Sequence, residues 1–271
     1  MSVVAVTAPR HQQLIVSVFG LYRELRGGIP IAALIRMLGE LGVEPASVRS
    51  SVSRLKKRGI LVSTTVDGTA GYALSPEFDE VFREGDRRIF SRHAVASDQW
   101  LLATFTVPES QRHLRHRIRI VLGRLGFGSV AAGLWIAPAG VTTAVRSRLA
   151  REQLDGYVEF FTAQYTDTGQ LKAKVASWWD LDSLEGQYQG FVQRHAAQRD
   201  APQLAPGPAF NAYVPLVTEW RQLPYLDPGL PAELLPVGWH GRVAEDLFMR
   251  LHQRWSAPSR QHAESLFAVS R

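Results

Sequence analysis

"SVRSSVSRLKKRG", residues 47–59, holds five basic residues and four serines, yet keeps Val48, Val52 and Leu55 in helical register. On a helix those three apolar side chains share one face, and Ser50, Ser53, Arg54 and Lys57 project from roughly the opposite side. Arg49 and Lys56 flank the boundary, where long stems can reach a phosphate backbone. Upstream, "IPIAALIRMLGELG" at 29–42 predicts a helix whose apolar side includes Ile31, Leu34, Ile35, Leu38 and Leu41, with Gly42 as its stop. Before that, Gln12 to Leu25 repeats apolar residues at helical spacing, and "RGG" at 26–28 ends the run. Pro45 suits the first turn of the third helix. Downstream, "ILVSTTVDGTAGYALS" reads as two β-rich runs joined by "DGTAG", a hairpin signal, and "SPEFDEVFREGDRRIFSR" at 75–92 resumes helical spacing.

Helix, helix, turn, helix, hairpin is the order of a winged helix-turn-helix, with 47–58 as its recognition helix. Arginine can bridge guanine with two hydrogen bonds, serine can meet bases or phosphates, and lysine neutralises phosphate. A solvated surface helix can carry similar charges, but its place after a tight turn and before a hairpin favours DNA. The predicted DNA-binding residues are Ser47, Arg49, Ser50, Ser53, Arg54, Lys56 and Lys57.

The 271 residues are 45% hydrophobic and 21% charged, ordinary globular material that suggests two or three domains. With no cysteine, disulfides, thiolate zinc sites and cysteine nucleophiles are excluded. The opening "MSVVAVTAPRHQQ" lacks a secretory pattern, and no run of about 18 apolar residues occurs, so a cytoplasmic protein with no membrane span is expected. The net charge of +6 and pI near 9.9 permit nucleic-acid binding without requiring it.

From near Ser97 strand and helix signals alternate. "WLLATFTVPE" reads as a strand, "SQRHLRHRIRIVLGRLG" as a helix, and "FGSVAAGLWIAP" as a strand with Gly133 as its candidate break. "VTTAVRSRLAREQLD" follows as a helix and "YVEFFTAQYT" as a strand, so a small α/β sandwich of ferredoxin-like type is expected. The third section opens on "WWDLDSLEGQYQGFVQRHAAQRD", a predicted helix with Asp180 or Asp182 placed to cap it. "APQLAPGP" at 201–208 reads as a loop or kinked connector, and further helices are expected from Asn211 to Gln222 and Gly241 to Gln253. Between them, "LPYLDPGLPAELLPVGW" has too many prolines to be one regular element.

Enzyme chemistry finds little purchase. His113 and His116 sit three apart on a helix, but Arg112, Arg115, Arg117 and Arg119 surround them and oppose a divalent ion. "DLD" at 180–182 places its carboxylates on different helix faces. No Gly-x-Ser-x-Gly elbow, P-loop or dinucleotide fingerprint appears.

The chain resembles the PaaX family of bacterial transcriptional repressors, which control phenylacetic acid degradation. The resemblance rests on "LIVSVFGLY" at 14–22, "RGGIPIAALIRML" at 26–38, "VRSSVSRLKKRGIL" at 48–61, "LGFGSVAAGLWIAP" at 125–138 and "LPYLDPGLPAELLPVGWHG" at 223–241. It implies an α+β multidomain chain: a winged helix-turn-helix over 10–92, a ferredoxin-like domain similar to Cas2 over 97–176, and a helical C-terminal domain over 177–271. It also implies a non-enzymatic homodimer on double-stranded operator DNA, released by an acyl-CoA effector such as phenylacetyl-CoA, with no cofactor or metal. Tyr225, Trp239, His240 and Arg242, in the most family-specific segment, supply aromatic surface, a polar tip and a cation for that effector. Two departures stand out. The wing turn "TTVDGTAG" has no Lys or Arg, and its Asp67 would repel phosphate. Thr106 stands where relatives commonly place an aspartate, and it cannot replace a carboxylate as a hard-cation ligand. The alternatives are a non-specific DNA-binding scaffold touching phosphates through 112–124, and a Cas2-like metal-dependent nuclease.

Overall fold

The structure, a computed structural model, describes residues 10–91, 99–166 and 168–268; the expected second-section start at Ser97 lies outside them. It opens with α1 (Arg10–Tyr22), β1 (Ile29–Pro30), α2 (Ile31–Glu40), α3 (Pro45–Lys57), the hairpin β2 (Leu61–Val66) and β3 (Thr69–Leu74), then α4 (Pro76–Ile89). Ile29 and Pro30, expected to open the second helix, instead pair as a short strand with Tyr72 and Gly71. A residue before proline is pushed to extended backbone, which delays the helix to Ile31. After α2, Gly42 takes a φ of 78° while Val43 N–H donates to the Leu38 carbonyl at 2.9 Å, closing the helix end before α3. The hairpin turn is tighter than "DGTAG" suggests. Val66 pairs with Thr69, and Asp67 and Gly68 alone turn the chain, with φ of 49° and 78°. Two left-handed residues match the right-handed twist of the strands.

The next six elements are β4 (Trp100–Phe105), α5 (His113–Arg124), β5 (Gly128–Ala131), β6 (Leu134–Pro138), α6 (Thr142–Arg151) and β7 (Val158–Ala163). They form one antiparallel sheet in the order β5-β6-β4-β7. "FGSVAAGLWIAP" is two strands, turned at Gly133 with a φ of 82°. Strand alternation sorts the two faces. Leu101 and Ala103 point to the side where Ile118, Val121 and Leu122 of α5 meet Val145 and Leu149 of α6. Trp100 and Leu102 point the other way, against Val175, Trp179, Leu230 and Leu235. Gly128 is required there, because a Cβ would stand 2.6 Å from the Trp179 ring.

The remaining helices are α7 (Leu171–Trp178), α8 (Leu181–His195), α9 (Pro206–Trp220), the short α10 (Leu223–Leu226) and α11 (Gly241–Ala268). Of the two proposed caps for α8 it is Asp180 that serves, its Oδ1 accepting from Ser183 N–H at 3.1 Å. Two expectations are corrected by proline chemistry. The predicted connector "APQLAPGP" runs into α9, because prolines in a first helical turn have no N–H to lose. And α11 continues past Gln253 through Pro258. The Arg254 carbonyl, which loses its helical partner to that proline, accepts instead from Gln203 Nε2 at 3.1 Å.

The chain groups into two compact units, neither of them a single consecutive segment. Among the described residues, one comprises 99–193 and 222–244, the other 10–91, 194–221 and 245–268. In the second, Phe210 and Val214 of α9 and Ala263 and Phe267 of α11 belong to the same apolar core as Phe19, Leu34, Val48 and Leu55. Buried and part-buried polar contacts accompany them. The Tyr22 and Ser259 hydroxyls are 2.6 Å apart, those of Thr218 and Ser17 are 2.8 Å apart, and Trp220 Nε1 donates to the Ile89 carbonyl at 3.1 Å. The last turns of α11 also reach α2, where His262 Nε2 lies 2.8 Å from Glu40 Oε2 and Arg36 Nη2 donates to the Leu266 carbonyl at 2.5 Å.

Candidate nucleic-acid interface

Helix α3 has two chemically distinct sides. Val48, Val52 and Leu55 are buried, as their spacing predicts, and anchor the helix in the core. Arg49, Ser50, Ser53, Arg54, Lys56 and Lys57 are exposed, and Ser47 is half-buried. The structure adds one residue that the sequence reading missed. Ser51 is fully buried, and its hydroxyl lies 3.3 Å from Arg54 Nη2. The same guanidinium nitrogen donates to Ser50 Oγ at 3.2 Å, and Ser50 in turn donates to the Ser47 carbonyl at 3.4 Å. Arg54 is therefore held over a short serine ladder, which lowers the conformational freedom left to its side chain.

Lys56 is placed differently: its Nζ sits 5.7 Å from the Tyr72 ring of β3, so it leans toward the hairpin. Arg54, Lys56 and Lys57 all lie in the last turn of α3, where cations also complement the helix dipole. At the tip of the hairpin, Asp67 is ion-paired with Arg26. The repulsion of phosphate expected from Asp67 is thus offset locally, although the tip itself still bears no cation.

The four residues assigned to an effector lie on α10, in the segment just before α11 and on the first turn of α11. Trp239 packs edge-on against Tyr188 of α8, ring centres 5.6 Å apart. His240 accompanies it, pairing through Nδ1 and its backbone N–H with the Glu185 carboxylate. Arg242 is exposed on the first turn of α11, and Tyr225 lies on α10, which packs beside α5. Two shallow hollows of about 190 and 230 Å³ share Trp179, Asp180 and Leu181 as walls, and none of the four residues lines either. Thr106 follows β4, exposed, with its N–H donated to the Tyr157 carbonyl at 3.0 Å. Among the described residues no group of three or more His, Asp or Glu side chains is arranged to hold a metal.

Comparison with known proteins gives three consecutive matches. Residues 10–78 match the model of the PaaX-like protein, 93–175 the PaaX protein central Cas2-like domain, and 179–265 the PaaX-like protein C-terminal domain. The chain is 28% identical over 251 residues to the transcriptional repressor PaaX of Escherichia coli K12, covering 89% of this chain and 79% of that protein. An uncharacterized protein from Mycobacterium tuberculosis shares the fold, with a TM-score of 0.54 at 21% identity, over 90% of this chain and 97% of that one.

Proposed function

The chain belongs to the PaaX family of transcriptional repressors, and from that premise we propose that it binds one operator sequence as a homodimer and is released by an aryl-acyl-CoA such as phenylacetyl-CoA. The observation that carries the DNA-binding half is α3: a buried Val48/Val52/Leu55 stripe on one side, and on the other an arginine pre-oriented over Ser50 and Ser51. In this reading α1 to β3 are a winged helix-turn-helix, with α3 the element that enters the major groove, and α7 to α11 are the helical C-terminal domain. The hairpin is short of cations and serves packing more than phosphate contact. The dimer follows from operator geometry, since one such helix reads only a few base pairs and two can read half-sites about 34 Å or a multiple apart. The effector rests on family resemblance together with the aromatic and cationic residues of 223–242.

The protein acts as a regulator and not as a nuclease, because the Cas2-like strand β4 leads into Thr106 and not into a carboxylate. Among the described residues no helix is long and apolar enough to cross a membrane, and a bacterial repressor works in the cytoplasm with its DNA. The test is a titration of the protein against its own upstream DNA and against a scrambled duplex, with and without phenylacetyl-CoA. A preference for the upstream DNA of 10³-fold or more is the range of specific regulators, and the acyl-CoA should lower it. Equal affinity for both duplexes supports the scaffold alternative and defeats this proposal.

A further inference from the structure

Helices α5 and α6 cover one face of the four-stranded sheet, and their sequences are charged in one sense only. Between them they carry seven arginines, and neither contains an Asp or Glu. Helix α4 is the internal contrast: Arg83, Arg87 and Arg88 are offset there by Glu77, Asp79, Glu80, Glu84 and Asp86. A helix face kept merely for solubility mixes signs as α4 does. The placement on α5 also runs against helix stability. Arg112 is its N-cap residue and Arg115 is in its first turn, with no acid there, so cations sit at the positive end of the helix dipole.

Two carboxylates beside this face, Glu109 and Glu152, are already engaged. Glu109 accepts from Arg115 at 2.8 Å, while Glu152, just past α6, is shared by Arg148 at 2.8 Å and Arg117 at 3.7 Å. Arg124 is close enough to this group that burial, and then repulsion from Arg148, holds its guanidinium below the ordinary range despite Glu152. Arg112, Arg119, Arg146 and Arg151 are exposed around it. Charge spread along two neighbouring helices, each about 15–18 Å long at 1.5 Å per residue, suits a linear polyanion better than a single compact phosphate. Arginine is the side chain whose planar fork matches phosphate oxygens.

We propose that the α5–α6 face is a second nucleic-acid surface, taking the phosphodiester backbone of duplex DNA while α3 reads the bases. The proposal rests on the DNA-binding reading above and extends it to a different part of the chain. The face adds affinity and salt dependence and contributes no choice of sequence.

The full-length protein and its Arg112→Gln/Arg119→Gln variant are titrated with an operator duplex carrying long flanks, over a series of salt concentrations. Each lost phosphate contact lowers the slope of log K against log salt by about 0.9, so the double variant, losing two contacts in each protomer of the proposed dimer, should be shallower by about 3.6. Its preference for operator over scrambled DNA should stay unchanged. The Arg112→Lys/Arg119→Lys variant keeps both charges and should restore the slope. Intact operator binding with an unaltered slope in the Gln variant overturns this proposal alone, whereas no duplex binding by the unmodified protein overturns the repressor reading beneath it. Coenzyme A offers the same phosphate chemistry in a small molecule. If the Gln substitutions weaken coenzyme A binding and leave the DNA slope untouched, the face serves a small ligand and the proposal falls.

Discussion

At the scale of single residues, the exposed side of α3 is a coupled set and not a row of independent side chains. Arg54 donates to Ser50 and lies within reach of Ser51, so removing either hydroxyl changes where the guanidinium rests. Ser50→Ala and Arg54→Ala should each weaken operator binding by about 1–3 kcal/mol, and the double variant should lose less than the sum. A double-mutant cycle in operator titrations checks this; strict additivity would mean that the two side chains act separately. The exposed members of this set were legible in the sequence because apolar spacing alone fixes which side of α3 faces out. Ser51 was not, since a serine gives no sign in its type that it will be buried. Nothing local in "GWHG" indicates that His240 will be held by Glu185 of α8, 55 positions earlier in the chain.

At the scale of elements, local pattern located nearly every strand and helix up to β7 but misjudged α9 and α11. At the head of α9 proline has no N–H bond to lose, and within α11 proline is a stop signal only if the freed carbonyl finds no other partner. Gln203 supplies that partner for α11, and a glutamine in a loop does not announce such a role. Helix α11 also carries His252, whose Nδ1 shares a 2.6 Å hydrogen bond with the Tyr213 hydroxyl and whose ring stacks near Phe90 and Phe248. Burial depresses the affinity of this imidazole for a proton. An unfolded histidine titrates near 6.5, so below that pH the unfolded chain takes up a proton that the folded one refuses. Folded-state stability from this site is therefore full above pH of about 6.5 and falls as pH drops, by at most about 1.4 kcal/mol per unit. Asp86, raised by burial against the pull of Arg23, acts in the opposite sense at lower pH. Denaturant unfolding at pH 7.5 and 5.5 should show a smaller loss in His252→Phe than in the unmodified protein. An equal loss in both would remove the imidazole from the acid response.

At the scale of the whole molecule, the proposed release by acyl-CoA requires that acyl-CoA and operator be linked. If the acyl-CoA lowers operator affinity by some factor, operator must lower acyl-CoA affinity by the same factor. Calorimetry of each ligand with and without the other should close that cycle, and acyl-CoA binding that is indifferent to bound operator would rule out release by this effector. The grouping of the chain was the least legible feature of all. Phe210, Val214, Ala263 and Phe267 look like the apolar stripe of any amphipathic helix, and only the fold assigns them to the core that holds α3. The pairing of Tyr22 with Ser259 spans 237 positions, and its consequence is one of timing. Ribosomes add about 5–20 residues each second, so α3 emerges many seconds before the segments that complete its core. A nascent or prematurely terminated chain thus displays the exposed side of α3 on an unfinished support until α11 has been made.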